Sequence, residues 1–127
     1  RILKILLVED NLLNQKVVMF NLKKYDYNIT AVTNGLDALE AVKNNQFDLV
    51  LMDIMLPEMN GFEVTEKIRN FESKQGKNPV PIVALTANTL DNDREKCLSV
   101  GMNEYLSKPF TANELTEKIE KFVQLEV

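Results

Sequence analysis

The sequence predicts an α/β fold in which a five-stranded parallel sheet lies between two layers of helices. Short apolar runs alternate with amphipathic segments of helical length along the 127 residues, a pattern typical of parallel sheets. One run, Leu49–Leu56, is apolar apart from Asp53, as expected for a strand buried on both faces. Residues 1–127 are enough for one domain with its own core.

The first half of the chain contains three predicted strands and two helices. The strands are Lys4–Glu9, Asn28–Val32 and Asp48–Asp53. The first helix spans about Leu12–Lys24, and the turn Asn34–Gly35 starts the second. The residues at helical spacing that we expect to face the core are Leu13, Val17 and Phe20 in the first helix and Leu36, Leu39 and Val42 in the second.

The second half continues the alternation after Pro57 and Gly61 break the chain. Val80–Leu85 and Glu104–Ser107 are predicted strands. The predicted helices are Phe62–Phe71, Leu90–Val100, and a last helix from Thr111 or Ala112 to Gln124. Gly101 is expected to end the second of these helices. Thr111 and Glu114 have the spacing of a capping box at the start of the last one. The helical residues that we expect to face inward are Phe62, Val64, Ile68 and Cys97.

Composition narrows the function. A hydrophobic content of 45% and a charged content of 27% are ordinary for a globular domain. The net charge of -4 argues against binding to nucleic acid, which favours a basic surface. The same charge suits a group of carboxylates that holds a cation.

Cysteine use and hydropathy predict the compartment. The single Cys97 cannot form an internal disulfide, which favours the cytoplasm. No signal peptide is visible, and no segment approaches the roughly 20 apolar residues that span a bilayer. The chain begins with Arg1 just before a strand, so we expect a domain of a longer protein; whether that protein is membrane-anchored stays open.

Polar residues follow four of the apolar runs. Glu9 and Asp10 follow the first strand, Asp53 ends the third, Thr86 follows the fourth and Lys108 follows the fifth. The carboxyl ends of parallel strands meet at one edge of the sheet, which is where open α/β sheets bind ligands. We therefore expect these side chains to converge.

The predicted group of side chains suits one kind of chemistry. Carboxylates packed together repel one another unless some are protonated or a hard cation binds. Mg²⁺ prefers oxygen ligands and keeps waters that a phosphate can replace. A carboxylate nucleophile, Mg²⁺, an ammonium group and a hydroxyl donor are the groups needed to receive a phosphoryl group.

These residues, in this order, resemble the receiver domains of two-component response regulators over essentially the whole chain. The segments 8–15, 84–88 and 101–110 are similar to receivers attached to hybrid sensor histidine kinases. The resemblance implies a flavodoxin-like, doubly wound sheet of strand order 2-1-3-4-5 with three αβα layers. It also implies phosphorelay signal transduction, in which the domain takes a phosphoryl group from a phosphohistidine and switches conformation to control a partner or attached domain.

The resemblance assigns the acidic residues. Asp53 would be the phosphoacceptor, and Mg²⁺ would be held by Glu9, Asp10, Asp53 and the backbone carbonyl of Met55. Such a domain assists its own phosphorylation and dephosphorylation. Whether the parent chain is a hybrid histidine kinase is left open.

The resemblance also assigns the other residues of the site. Thr86 and Lys108 would contact the phosphoryl group, and Thr86 and Tyr105 would form the conformational switch. The bond between Lys108 and Pro109 would be cis, although trans is the general rule for X–Pro bonds.

The partners follow from the same resemblance and from one absence in the sequence. The chain contains no histidine, so the donor must be a histidine kinase or a histidine phosphotransfer domain elsewhere. We expect this donor to dock near helix 1, beside Asn14 and Gln15. An output partner or a homodimer contact is expected on the helix 4–strand 5–helix 5 face. That face would carry Asn88, Leu90, Tyr105 and Phe110. We expect no nucleic-acid or membrane binding by this domain.

Each residue taken singly has a structural explanation. Glu9 and Asp10 could form an ordinary strand-to-helix turn, Thr86 could be a β-branched strand residue, Lys108 a solvated loop residue and Tyr105 a half-buried strand aromatic. Their joint occurrence at one sheet edge favours the site.

Three other functions fit the sequence less well. A haloacid-dehalogenase-like phosphatase needs a second carboxylic acid two residues after the nucleophile, where this chain has Met55; the phosphoryl group should therefore persist on Asp53. A flavodoxin-like nucleotide or flavin carrier needs a phosphate loop after strand 1, where Glu9 and Asp10 would repel phosphate. A receiver that only binds a partner would not need the intact acidic cluster and Lys108.

Overall fold

The computed structural model describes residues 2–87 and 91–122, with the backbone alone for 91–93. It contains a five-stranded parallel sheet of order β2-β1-β3-β4-β5 with alternating helices, which confirms the predicted fold and strand order. The strands are β1 (Leu3–Val8), β2 (Tyr27–Val32), β3 (Leu49–Asp53), β4 (Ile82–Thr86) and β5 (Glu104–Ser107). The helices are α1 (Leu12–Asn21), α2 (Gly35–Asn44), α3 (Gly61–Gln75), α4 (Asp91–Ser99) and α5 (Ala112–Phe122).

The central strands are buried on both faces, so each face of the sheet carries its own core. One face packs against α2, α3 and α4 through residues such as Val8, Met52 and Ile68. The other packs against α1 and α5 through residues such as Leu7, Leu51 and Leu115. Burying each such side chain contributes about 1.5–3 kcal/mol. Two cores that share one sheet hold its carboxyl edge in a fixed geometry.

The expected core face of α1 is wrong. Leu13, Val17 and Phe20 are exposed, by 69%, 51% and 75%, and the helix packs instead through Gln15 and Val18. Apolar residues occur on more than one side of this helix, so spacing alone does not select the buried side. The helix also ends at Asn21 rather than near Lys24.

The expectation for α2 is correct only in part. Val42 is buried and Leu39 is half-buried, but Leu36 is exposed, and Ala38 takes the central core position. The small Gly35 allows α3 to approach closely, because a Cβ at that position would overlap the Cγ2 atom of Val64.

Helix α3 is longer than predicted, and its start is tightly specified. Asn60 and Glu63 form a reciprocal capping box at its amino end. A Cβ at Gly61 would overlap the carbonyl oxygen of Asp53, so glycine lets the helix begin directly against the end of β3. At the carboxyl end Gly76 adopts φ 64° and terminates the helix.

The remaining boundaries differ from the predictions by a few residues. Thr86 lies inside β4 rather than after it. The predicted capping box of α5 is present, since Glu114 N donates to Thr111 Oγ1 and Thr111 N donates to Glu114 Oε1. Leu90 and Gln124, expected near the ends of α4 and α5, lie outside the described residues. Across the described part of the chain, no helix is long and apolar enough to cross a bilayer.

Candidate phosphoacceptor site

Glu9, Asp10, Asp53, Thr86 and Lys108 converge at the carboxyl edge of the sheet. The pairing of β3 with both β1 and β4, and of β4 with β5, places the ends of these four strands side by side. Glu9, Asp53 and Thr86 are almost fully buried, with 1%, 4% and 2% of their surface exposed, whereas Asp10 is exposed.

The three carboxylates form one cluster. Glu9, Asp10 and Asp53 each offer an oxygen atom that lies within 4.8 Å of the others. Partial desolvation, together with the hydrogen bond and the negative charge of Glu9, raises the pKa of Asp10 above its usual value. The negative charges of Asp10 and Glu9 therefore repel each other, and a bound cation would reduce that repulsion.

Lys108 supplies the positive charge of the site. Its Nζ atom lies 3.1 Å from Glu9 Oε1 and 3.3 Å from Asp53 Oδ2. Partial burial disfavours the charged amine, but the neighbouring Asp53 and Glu9 outweigh it and raise the pKa of Lys108. The side chain is thus a fixed cation that joins β5 to the ends of β1 and β3.

The loop after β3 orients Asp53. The backbone N–H of Met55 donates to Asp53 Oδ1 at 3.1 Å, which leaves Oδ2 facing Lys108. The Ile54 carbonyl accepts from Gly61 N at 2.9 Å and so closes the loop onto the start of α3. The Met55 side chain is exposed, and as a thioether it carries no acid group.

Glu9 is restrained at every polar atom. Its N–H donates to Val32 O, its Oε2 accepts from Asn11 N, its Oε1 accepts from Lys108 and its carbonyl accepts from Gln15 Nε2. The buried position of Gln15 differs from its expected place on the donor-docking surface. A polar residue on the same face as Val18 is the signal in the sequence that could have indicated this position.

The fourth and fifth strands position the remaining residues. Lys108 N donates to Thr86 O at 2.7 Å, so the backbones of β4 and β5 meet directly behind the site. The Lys108–Pro109 peptide bond is cis. Tyr105 pairs with Ala84 in register and is half-buried, with the Arg94 guanidinium carbon 5.9 Å from its ring centroid.

The expected output face is only partly described. Phe110 is half-buried and packs against the core on the α1–α5 side of the sheet. Asn88 and Leu90 lie outside the described residues.

Comparison with protein families matches residues 5–120 to the response regulator receiver domain. The chain belongs to the receiver family. It is 45% identical to hybrid signal transduction histidine kinase B of Dictyostelium discoideum over 95% of this chain, and 38% identical to the sensor histidine kinase GacS of Pseudomonas protegens over 96%. The chain spans only 7% and 13% of the lengths of these two relatives.

Two solved receiver structures are also similar. The receiver domain of the Pseudomonas aeruginosa sensor histidine kinase PA1611, with a magnesium ion in its active-site cleft, is 42% identical with a TM-score of 0.85, covering 96% of this chain and 98% of that one. The Saccharomyces cerevisiae Ssk1 receiver, crystallised with the histidine phosphotransfer protein Ypd1, is 35% identical with a TM-score of 0.90, covering 95% and 88%. The chain is thus a receiver domain of a two-component phosphorelay, as its sequence predicts.

Proposed function

We propose that this receiver accepts a phosphoryl group on Asp53 from a phosphohistidine and signals through a change of conformation. The observation that carries the proposal is the position of Lys108 Nζ, within 3.3 Å of Asp53 and 3.1 Å of Glu9 at the edge where three carboxylates meet. A carboxylate beside a fixed cation and a cation site is suited to phosphoryl transfer.

Glu9, Asp10, Asp53 and the backbone carbonyl of Met55 would hold Mg²⁺. Three carboxylate oxygens within 4.8 Å of one another are hard ligands of the kind that Mg²⁺ prefers. When bound, the ion would neutralise charge on the incoming phosphoryl oxygens. The magnesium-containing PA1611 receiver supports this assignment.

The chain's own residues would carry out the transfer of the phosphoryl group. An Asp53 carboxylate oxygen attacks phosphorus, a P–O bond forms, and the P–N bond to the donor imidazole breaks as that ring takes up a proton. Lys108 and the hydroxyl of Thr86 then contact the phosphoryl oxygens. Hydrolysis is slow, because Met55 stands where a phosphatase of similar chemistry has its general acid.

We propose that the donor, a histidine kinase or a histidine phosphotransfer domain, docks on the exposed apolar surface of α1. This surface consists of Leu12, Leu13, Val17 and Phe20, which are 51–75% exposed. It begins two residues after Asp10, so a partner seated there would reach the acidic edge. Contiguous exposed apolar side chains mark interaction surfaces, and the Ypd1–Ssk1 complex supports a partner of this class.

We propose that residues 1–127 form one receiver domain of a longer parent chain, a hybrid sensor kinase, and that this domain works in the cytoplasm. Output, or a homodimer contact, is assigned to the α4–β5–α5 face. The relatives of this receiver include hybrid and sensor histidine kinases, which supports the proposed parent chain. The pairing of β4, which carries Thr86, with β5, which carries Tyr105, supports the proposed output face.

The proposed chemistry is tested by phosphorylation of the Asp53→Asn variant. Incubation of the wild type with Mg²⁺ and acetyl phosphate should yield an acyl phosphate, detected as a mass increase that hydroxylamine removes. The substituted asparagine keeps the shape of the side chain without the nucleophile, so the adduct should vanish. Asp26→Asn, an exposed residue at the opposite edge of the sheet, is the matched control and should label normally. Undiminished labelling of Asp53→Asn would refute the assignment.

A further inference from the structure

Gln15 differs from its helix neighbours because it is the polar member of a buried stripe. It is 8% exposed, whereas Leu13 and Val17 on the same helix are mostly exposed. An uncharged amide in this position is costly unless its hydrogen bonds are made. The Gln15 side-chain amide donates two hydrogen bonds, and one of them reaches the backbone of Glu9 in the acidic cluster.

The Gln15 amide joins the ends of two strands. Its Nε2 atom donates to the carbonyl of Glu9 at 2.8 Å and to the carbonyl of Val32 at 3.0 Å. Val32 O also accepts from Glu9 N at 3.1 Å. One side chain on α1 thus ties the segment after β1 to the end of β2, and it does so at the residue that precedes Asp10.

These bonds restrain the two acidic residues in different ways. Glu9 has further restraints on its carboxylate from Lys108 and Asn11. Asp10 is exposed and lies between the backbone of Glu9 and that of Asn11, the residue that caps α1. Gln15 donates to the carbonyl of the Glu9–Asp10 peptide group. The orientation of the backbone at Asp10 therefore depends on this hydrogen bond.

We propose that Gln15 is a positioning residue for the acidic cluster. Its amide sets the orientation of the Glu9–Asp10 peptide and thereby the affinity of the cluster for Mg²⁺, without touching the ion or the phosphoryl group. This inference rests on the proposed function of the cluster. Partners behind metal ligands commonly change metal affinity by about tenfold or more when they are removed.

The test uses the whole domain and the variant Gln15→Met, which retains a similar length and volume but has no N–H donor. Mg²⁺ affinity is measured by titration of amide NMR shifts, and the melting temperature is measured without Mg²⁺. The expected result is about tenfold weaker Mg²⁺ binding. Phosphorylation by acetyl phosphate should slow at low Mg²⁺ and recover at saturating Mg²⁺, because positioning acts through the cation.

Two further variants make the result decisive. Gln46→Met makes the same substitution at an exposed position before β3, at the opposite edge of the sheet, and should bind Mg²⁺ like the wild type. Gln15→Asn keeps the amide but is one methylene shorter, so it should also weaken Mg²⁺ binding, and it serves if Gln15→Met fails to fold.

The outcomes separate the two proposals. If the wild type binds Mg²⁺ and is phosphorylated, but the Gln15 variants melt earlier with unchanged Mg²⁺ affinity, Gln15 is only structural and the inference is overturned. If the wild type itself neither binds Mg²⁺ nor is phosphorylated, the proposed function fails first.

Discussion

Asp10 is the residue of the acidic cluster whose charge is least compensated. Lys108 contacts Glu9 and Asp53 directly, whereas Asp10 gains only a weaker, more distant attraction from it. Desolvation and the adjacent Glu9 raise the pKa of Asp10. The folded state therefore binds a proton at Asp10 more tightly than the unfolded chain does. The resulting stabilisation is present at low pH and is lost as the pH rises through the raised pKa.

This imbalance predicts that Asp10→Asn stabilises the domain without Mg²⁺ but reduces the stabilisation that Mg²⁺ adds. At neutral pH without divalent ions, the substitution removes the uncompensated charge and should raise the melting temperature. For the wild type, Mg²⁺ at 100 times its dissociation constant should add about 2.7 kcal/mol. A variant that binds about tenfold more weakly would gain only about 1.4 kcal/mol under the same conditions. Differential scanning calorimetry with and without Mg²⁺ measures both effects.

Asp26→Asn is the control for this experiment, because Asp26 is exposed and lies before β2, away from the cluster. It should show the full Mg²⁺ effect. A wild-type melting temperature that does not respond to saturating Mg²⁺ would show that the acidic cluster is not a metal site.

Among the elements, helix α1 has two sides that differ in burial, and the proposals above give each side its own role. Its inner side holds the β1 and β2 ends through Gln15 and packs through Val18. Its outer side leaves Leu13, Val17 and Phe20 exposed. A helix whose apolar residues are not all used by the core retains a surface for a partner.

We therefore expect Leu13→Ser and Phe20→Ser to separate two routes of phosphorylation. Both side chains are exposed by 69% or more, so their loss should change the free energy of unfolding by only about 0.5 kcal/mol. The rate of transfer from a phosphorylated histidine phosphotransfer protein that labels the wild type should fall about tenfold or more, because a few anchor side chains carry most of the binding energy of a protein interface. Labelling by acetyl phosphate should be unchanged, because that small donor needs no docking surface.

Leu36→Ser is the matched control on α2, since Leu36 is also exposed. It should leave both rates unaltered. Equal loss with both donors would mean that the α1 substitutions damage the site itself, and no loss with either would place the donor elsewhere.

Element α1 also shows what the sequence could and could not predict. The strands and the site edge were predictable, because buried apolar runs ending in Glu9, Asp53 and Lys108 restrict both burial and direction. The orientation of α1 was not predictable in this way. The spacing of apolar residues does not show that the carbonyls of Glu9 and Val32 accept hydrogen bonds from a side chain of this helix. The buried amide of Gln15 donates to both carbonyls. With Gln15 facing the sheet, the apolar residues Leu13, Val17 and Phe20 face solvent.

For the molecule as a whole, the sheet is the connection between the proposed phosphorylation site and the proposed output face. Asp53 pairs with Leu85 on β4, the residue before Thr86, and Thr86 pairs with Ser107 on β5. Tyr105 lies two residues earlier on β5, beside Arg94 of α4. A shift of Thr86 toward a phosphoryl group would therefore reach the Tyr105 ring through two adjacent, hydrogen-bonded strands.

This path predicts that beryllofluoride, a phosphoryl mimic, shifts amide NMR signals well beyond the site. Thr86 should move toward the mimic to donate its hydroxyl, and Tyr105 should rotate inward into the space that opens, which changes its contact with Arg94. The mimic biases a pre-existing equilibrium, so the shifts should lie on a line between two end states. Thr86→Ala is the discriminating variant: it should still bind beryllofluoride at Asp53, but the signals of β5 and α4 should stay at their unliganded positions. Wild-type changes confined to the residues around Asp53 would instead describe a domain that stores or relays phosphate without this switch.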